Sequence, residues 1–197
     1  MKKQGIFTIP NILGFYRILA FPFILWFALS DKENLFAMFL VINLLTDVAD
    51  GLIARLFKIE SEFGARLDSL ADIFTYLLAF TGIYVFKLED FIPHLTSFVV
   101  FLIMMSLIVV ISLIKFGKFP SFHLYSTKIG GYIQGAFFIA LFTYGFSSPF
   151  YYLMITWGII SAIEHITIQL IIPRMRSNVK GLYRVLKNKN TINQPEN

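Results

Sequence analysis

The sequence contains no cysteine, and this absence excludes several classes of site. Without thiols the chain cannot form disulfides, use a thiolate nucleophile, or bind zinc or an iron–sulfur cluster through cysteine. Charge is also scarce, since Asp, Glu, Lys and Arg together make up 15% of the 197 residues. A soluble globular domain has about 25% charged residues, so this composition argues against an ordinary soluble protein.

Apolar residues are abundant instead, at 57% of the sequence with a mean hydropathy of +0.71. Apolar runs of roughly 20 residues, the length that crosses a bilayer as a helix, alternate with short polar breaks. We therefore predict an all-α integral membrane protein, a bundle of six transmembrane helices with a short N-terminal interfacial helix. The predicted spans cover about 11–30, 34–54, 66–87, 94–115, 128–147 and 150–172.

The interfacial helix is expected in the stretch from Phe7 to Arg17, with Arg17 held at the level of the lipid head groups. Ser61 is expected to cap the start of the third span. No segment resembles a cleaved signal peptide, and no linker, low-complexity segment or internal repeat divides the chain. Residues 1–180 are therefore predicted to form a single membrane-embedded domain, followed by a basic cytoplasmic tail at 181–197.

Lysine and arginine are distributed unevenly over the predicted connections. With six spans, all 17 of them except Lys32 and Lys87 fall on the side that holds both termini. Because positive residues favour the cytoplasmic side, we expect both termini to be cytoplasmic in the cell membrane. The net charge of +5 then reflects topology and contact with acidic lipids. No basic stretch is interleaved with exposed aromatics, so nothing suggests a nucleic-acid partner.

Four aspartates flank the cytoplasmic connection between the second and third spans: Asp47, Asp50, Asp68 and Asp72. A carboxylate at a membrane-helix centre costs about 2.5–3.5 kcal/mol, so four of them need compensation. The spacings i, i+3 and i, i+4 place each pair on one face of its helix. Oxygen ligands without histidine or cysteine suit hard divalent cations such as Mg²⁺, Mn²⁺ or Ca²⁺. We predict a cytoplasm-facing site for two ions of Mg²⁺ or Mn²⁺, of the kind that neutralises and aligns a pyrophosphate.

Small residues accompany these carboxylates. Gly51 and Gly64 stand beside the two aspartate pairs, where the lack of a side chain lets a bulky substrate approach the helix backbones. The small side chain of Ala54 leaves room on the same side of the helix, and Arg55 adds a fixed positive charge at the cytoplasmic end of the pocket. The pattern therefore indicates a pocket next to the metal site.

The complete frame resembles the signature of the CDP-alcohol phosphotransferase family at all eight fixed positions. It reads Asp47-x-x-Asp50-Gly51-x-x-Ala54-Arg55, eight residues, Gly64-x-x-x-Asp68-x-x-x-Asp72. Members of that family are integral membrane enzymes that transfer a substituted phosphate from a CDP-linked donor to an alcohol and release CMP.

This resemblance also implies roles for the signature residues. Asp47, Asp50 and Asp68 would hold the metal ions, with Asp72 close to them. Asp72 would be the catalytic base that takes the proton from the acceptor hydroxyl. The residues that would line the cytidine nucleotide pocket are Gly51, Ala54, Arg55 and Gly64. The tails of a lipid donor would lie between spans in the bilayer.

The acceptor alcohol is less well defined. The opening from Ile9 to Arg17 is similar to that of bacterial phosphatidylglycerophosphate synthases, with Gly14 in place of a common threonine. This similarity favours transfer from CDP-diacylglycerol to glycerol 3-phosphate. Residues 96–110 carry no charge, whereas those synthases tend to have an Arg-Glu pair there. Serine, inositol, inositol phosphate and phosphatidylglycerol therefore stay open as acceptors.

Basic and hydroxyl residues around the connection between the fourth and fifth spans form the expected acceptor site: Lys115, Lys118, Ser126 and Lys128. Glu164, deep in the last span, is expected to pair with Ser126 or Lys128. The resemblance allows a homodimer. The main alternative from another class is a divalent-cation transporter. It is disfavoured because transporters tend to place sites in paired repeats, whereas these aspartates cluster in one hairpin.

Overall fold

The computed structural model describes residues 8–57, 59, 61–120, 122, 124–173 and 179–187, and all regular structure within them is helical. The helices are α1 (Ile9–Leu29), α2 (Glu33–Leu56), α3 (Glu62–Phe86), α4 (Leu88–Phe91), α5 (Leu95–Phe116), α6 (Tyr125–Thr143), α7 (Ser148–Ile171) and α8 (Leu182–Lys187). A 3₁₀ turn at Ile92–His94 joins α4 to α5. The six long helices coincide with the six predicted spans.

Five segments of the described chain are long and apolar enough to cross a membrane: Ile9–Leu29, Glu33–Ala54, Arg66–Phe86, Leu88–Phe116 and Ser148–Ile171. The prediction of an all-helical membrane protein agrees with them. Helix α6, with 19 residues, is not among these five. The predicted count of six spans is therefore not confirmed.

The predicted interfacial helix is not confirmed either. Within the described residues α1 runs without interruption from Ile9 to Leu29. Pro10 stands in its first turn, where a fixed φ suits the helix and the missing N–H has no partner to lose. The first 21 helical residues thus form one element, and Arg17 lies inside it.

The predicted cap of the third span is confirmed. Ser61 has an extended backbone (φ −138°, ψ 154°), and its Oγ accepts a hydrogen bond of 3.0 Å from the N–H of Gly64. This bond satisfies one of the four N–H groups that a helix start leaves unpaired. Because α3 begins at a defined residue, the face on which it presents Asp68 and Asp72 is defined as well.

The chain divides by its contacts into two compact units, Met1–Ile92 with Phe138–Phe146, and Pro93–Phe137 with Ser147–Asn197. In the first unit α1 packs against α2 and α3, and α2 packs against α3. Its fully buried side chains include Ile24, Phe36 and Leu78. In the second unit α5 packs against α7, and α7 packs against α8. The predicted domain limit at residue 180 stays a prediction.

Glu164 joins three elements of the second unit. Its carboxylate accepts a hydrogen bond from the Ser126 hydroxyl and another, 2.8 Å long, from the backbone N–H of Leu182. The predicted pairing of Glu164 with Ser126 is confirmed. Since Leu182 begins α8 and Val185 is buried, the segment predicted as a tail starts as a packed helix.

Close packing of α3 in the first unit gives a stability prediction at Gly82. An added Cβ would lie 2.4 Å from Phe36 Cε1 and 2.7 Å from Phe142 Cζ. Both rings are buried and lie 5.4 Å apart by their centroids, so neither can move freely. Gly82→Ala should lower the unfolding temperature in detergent, since overpacking costs about 1–3 kcal/mol. Gly131→Ala is the matched control, because its Cβ meets nothing within 4 Å; equal unfolding temperatures would contradict the prediction.

Candidate active site

The four signature aspartates converge in the first unit, where α2 and α3 pack together. One carboxylate oxygen each from Asp47, Asp50 and Asp68 lies within 4.8 Å of the other two. The Asp50 side chain is 7% exposed, whereas those of Asp47, Asp68 and Asp72 are 38%, 50% and 43% exposed. The cluster is therefore buried at one edge and open at the other.

Helix α1 places a buried cation among these carboxylates. The side chain of Arg17 is 1% exposed, and its Nη1 lies 2.6 Å from Asp47 Oδ1 and 3.1 Å from Asp68 Oδ1. The same nitrogen is 3.6 Å from Asp50 Oδ2, and Nη2 is 2.6 Å from Asp72 Oδ1. One guanidinium thus forms ion pairs with all four aspartates, and its contacts with Asp68 and Asp72 are charge-assisted hydrogen bonds, which are the stronger kind.

The prediction that Arg17 lies at the lipid head groups is therefore wrong. A signal was present in the sequence, since Arg17 is a charged residue within an apolar run, and such residues usually face the interior of a bundle. Its nearness to the predicted interface made anchoring look equally reasonable. Whether Arg17 faces the lipid or the interior of the bundle depends on how α1 is rotated about its own axis. Only the packing of α1 shows that rotation.

A buried polar pair supports the guanidinium. Thr75 Oγ1 accepts hydrogen bonds from Arg17 Nη2 at 3.3 Å and from Asn43 Nδ2 at 3.1 Å, and it donates to the Ala71 carbonyl at 2.9 Å. Asn43 is fully buried and Thr75 is 7% exposed. These bonds connect α1, α2 and α3 next to the aspartates. Neither residue could be singled out from the sequence, because neutral polar side chains in a span carry little signal.

A cavity of about 310 Å³ lies beside Asp50 and Asp68. Three of the four residues predicted for the nucleotide pocket line it, together with residues of α1 and of the turn before α3: Gly51, Ala54, Gly64, Pro10, Asn11, Gly14, Ile59, Ser61 and Leu67. A Cβ at Gly64 would lie 2.8 Å from Asn11 Oδ1, so a side chain there would strike the α1 wall. The side chain of Arg55, the fourth predicted residue, lies outside the described part of the chain.

A second cavity of the first unit, about 590 Å³, is almost entirely apolar. Its walls are one face of α1 and Phe39 of α2: Ile12, Phe15, Tyr16, Leu19, Ala20, Phe23, Ile24, Phe27 and Phe39. From Ile12 to Phe27 the helix rises by about 22 Å. Ile12 and Phe15 directly follow Asn11 and Gly14 in the chain, so this groove begins at the same turn of α1 as the polar cavity.

The residues predicted to bind the acceptor belong to the second unit, and two of them are engaged there. Lys115 Nζ donates to the carbonyls of Gln169 and Leu170, each at 2.8 Å. It thereby satisfies carbonyls that the end of α7 leaves open. Ser126 donates to Glu164, while Lys118 and Lys128 are exposed.

Comparison with known proteins agrees with the geometry of the first unit. A profile of CDP-alcohol phosphatidyltransferases matches residues 7–168. The chain belongs to this family. No solved structure matches the chain.

Similar proteins are named either as CDP-diacylglycerol–glycerol-3-phosphate 3-phosphatidyltransferases or as cardiolipin synthases. A CDP-diacylglycerol–glycerol-3-phosphate 3-phosphatidyltransferase of Cereibacter sphaeroides is 39% identical over 77 residues, covering 33% of this chain and 31% of that protein. A cardiolipin synthase (CMP-forming)/mitochondrial hydrolase fusion protein of Schizosaccharomyces pombe is 41% identical over 70 residues, with coverages of 36% and 12%. A putative cardiolipin synthase of Mycobacterium tuberculosis is 35% identical over 94 residues, with coverages of 47% and 44%. The chain thus matches less than half the length of each relative.

The carboxylate oxygens of the acidic cluster are suitable ligands for a hard divalent cation. Such a cation has oxygen ligands at about 2.0–2.6 Å, which keeps its ligand oxygens within roughly 4–5 Å of one another. The oxygens of Asp47, Asp50 and Asp68 meet that condition at 4.8 Å. Asp72 lies outside this group of three and is joined to it through Arg17. The three residues could therefore hold a metal ion, while its identity is open.

Removing one of the three charges should weaken metal binding. Asp50→Asn leaves the shape of the site unchanged but takes away the most buried carboxylate, so Mn²⁺ affinity should fall roughly tenfold or more. Free Mn²⁺ measured by electron paramagnetic resonance during titration of the purified protein gives this affinity directly. Asp90→Asn, in the exposed part of α4, is the control with the same chemical change. Unaltered Mn²⁺ affinity in Asp50→Asn would remove Asp50 from the site.

Proposed function

We propose that this protein is a membrane phosphatidyltransferase of phospholipid biosynthesis. It would transfer the phosphatidyl group of CDP-diacylglycerol to a small alcohol and release CMP. The observation that carries this proposal is the cavity shared by the acidic cluster and the small signature residues. Asp50 and Asp68 line the same 310 Å³ space as Gly51, Ala54 and Gly64. Pockets of roughly 300–1,000 Å³ are typical of small-molecule and cofactor sites. A nucleotide can therefore lie in this cavity with its phosphates against the carboxylate cluster.

In this proposal Asp47, Asp50 and Asp68 hold Mg²⁺ or Mn²⁺, with Asp72 near the ions. When bound, the metal neutralises the pyrophosphate of the donor and makes CMP a better leaving group. Charge supports two ions, because the four carboxylates exceed the single positive charge of Arg17 by three. One divalent ion would leave the cluster negative before an anionic donor could enter.

Asp72 is proposed as the base that accepts the proton of the acceptor hydroxyl. Arg17 Nη2 holds its Oδ1 at 2.6 Å, which orients the carboxylate, while 43% of the side chain stays exposed to an incoming acceptor. A base acts when it lies within about 2.6–3.2 Å of the hydroxyl. The acceptor oxygen then bonds to the phosphatidyl phosphorus as the bond from that phosphorus to CMP breaks.

The apolar groove on α1 supports a lipid donor. Its first lining residues, Ile12 and Phe15, directly follow Asn11 and Gly14, which line the polar cavity proposed for the nucleotide. It continues along about 22 Å of helix, further than the roughly 15 Å from the edge of the hydrocarbon core to the bilayer midplane. A donor with its nucleotide in the polar cavity can therefore place an acyl chain in the groove.

Glycerol 3-phosphate is the preferred acceptor in this proposal. Relatives from Cereibacter sphaeroides and Aquifex aeolicus are named as CDP-diacylglycerol–glycerol-3-phosphate 3-phosphatidyltransferases, in agreement with the opening of α1. Phosphatidylglycerol is the second candidate, because other relatives are named as cardiolipin synthases. Lys118 and Lys128, both exposed, stay proposed for acceptor binding. Lys115 and Ser126 stay proposed as well, and an acceptor there would meet polar groups that already hydrogen-bond within the second unit.

The proposed setting is the cytoplasmic membrane. Helix α6 would cross the bilayer as a sixth span, with both termini and the active site on the cytoplasmic side. The distribution of lysine and arginine supports this orientation. A homodimer is proposed only on family resemblance.

Release of CMP by the purified protein tests the function. With CDP-diacylglycerol and Mg²⁺ or Mn²⁺ present, glycerol 3-phosphate should elicit CMP, whereas serine, inositol and inositol phosphate should not. Release with phosphatidylglycerol instead would identify a cardiolipin synthase. No release with any of the five acceptors, combined with nucleotide-independent Mn²⁺ uptake into proteoliposomes, would favour the transporter.

Substitution of Gly51 tests the nucleotide pocket. A leucine at this position of the cavity wall should obstruct the donor and raise its KM tenfold or more, as expected when a close-fitting pocket is filled. The acceptor KM should change little. Gly131→Leu is the matched control, since space around Gly131 is open. A normal donor KM in Gly51→Leu would mean that the glycine serves helix packing instead.

A further inference from the structure

We propose that Arg17 is an internal counter-ion that competes with the divalent cation for the signature aspartates. Filling the site would require the metal to displace one end of the guanidinium, so Arg17 would set the metal concentration at which the protein becomes loaded. This inference rests on the proposed metal binding and adds a residue of α1 that lies outside the signature.

Arg17 occupies the space that a bound metal ion would need. Nη1 of Arg17 lies 2.6 Å, 3.6 Å and 3.1 Å from oxygens of Asp47, Asp50 and Asp68. These are the three residues whose ligand oxygens come within 4.8 Å of one another. A metal ion bound to all three would need its oxygens at about 2.0–2.6 Å, in the space where Nη1 now lies. The two cations cannot hold that position together.

The hydrogen bonds of the guanidinium are incomplete. Arg17 Nε is buried and has no hydrogen-bond partner among the described residues. A buried donor without an acceptor destabilises the position that creates it. Arg17 is therefore held in place mainly by its attraction to the four carboxylates, since its hydrogen bonding is incomplete. Another cation can supply the same attraction.

Displacement of the guanidinium can be partial. Nη2 contacts Asp72 at 2.6 Å and Thr75 at 3.3 Å, and neither residue belongs to the group of three. A small rotation that removes Nη1 from the cluster can leave these two bonds intact. After metal binding Asp72 would be the one aspartate still bonded to Arg17, which would act as a positioning residue that keeps this carboxylate oriented.

The competing explanation is a fixed support that holds the carboxylates in place for the metal. The two explanations predict opposite effects on metal affinity when the charge of Arg17 is removed. If Arg17 competes, its removal tightens metal binding. If Arg17 only supports the site, its removal leaves the carboxylates misplaced and weakens metal binding.

The test is Mn²⁺ titration of Arg17→Met, which keeps a long side chain without charge. We expect the dissociation constant for Mn²⁺ to fall roughly tenfold, because several charge-assisted contacts no longer oppose binding. The rise in unfolding temperature on adding Mg²⁺ should also be larger than in the wild type. Neither readout requires a lipid substrate or turnover.

Lys87→Met is the matched control. Lys87, the residue that caps the end of α3, is the other ion-paired cation of the described residues, 2.7 Å from Glu33 of α2, and its side chain is 18% exposed. It lies at the far end of α3, about 28 Å of helix rise from Asp68. The control therefore loses one positive charge and one ion pair, and its Mn²⁺ affinity should equal that of the wild type.

Arg17→Lys keeps the inference testable if Arg17→Met does not fold. A single ammonium nitrogen cannot contact all four carboxylates as the guanidinium fork does, so Mn²⁺ should bind a few-fold more tightly than in the wild type. Equal or weaker Mn²⁺ binding in the folded variants, with normal binding in the wild type, would overturn the competition and leave the metal site standing. No Mn²⁺ binding by the wild type would overturn the proposed metal site itself.

Discussion

The gathering of four carboxylates at one point, one of them buried and three partly exposed, is the constraint on which the first unit depends. Each would be costly at membrane depth, and together they repel one another. Arg17 compensates part of this negative charge. Because Arg17 belongs to a third helix, its ion pairs join α1, α2 and α3 at one point. Removing one partner from a fully buried charge group destabilises by about 3–5 kcal/mol, and the cost here is smaller because water screens the three partly exposed carboxylates. The packing of these helices and the electrostatics of the site therefore cannot be varied independently.

Small residues then determine what can reach the carboxylates. Gly14, Gly51 and Gly64 keep the walls of α1, α2 and α3 low on the side of the polar cavity, while large apolar side chains of α1 line the adjacent groove. The same helix thus presents a polar surface to one cavity and an apolar surface to the other. An amphipathic substrate, with a charged head and an acyl chain, needs such a division along a single helix.

Much of this could be predicted from the sequence, because the deciding information was local. Helical spacing placed Asp47 with Asp50 on one face of α2 and Asp68 with Asp72 on one face of α3. Ser61 was recognisable as a cap, and an intramembrane Glu164 needed a partner such as Ser126. The positions of the long helices followed from apolar runs. The role of Arg17 did not follow, because it depends on how α1 is rotated against two helices distant in sequence. For the same reason the bonds from Lys115 to the end of α7 could not be predicted from the sequence, and Asn43 and Thr75 gave no signal.

The position of the start of α3 has an electrostatic consequence for the cavity. Ser61 caps this helix and Gly64 lies in its first turn, and both line the cavity beside Asp50 and Asp68. The N-terminus of a helix carries about half a unit of positive charge from its aligned peptide dipoles. Helix α3 has 25 residues, so this charge is fully developed at the cavity wall. The wall can thus attract phosphate through backbone dipoles alone, in a place where another lysine or arginine would bind the aspartates instead.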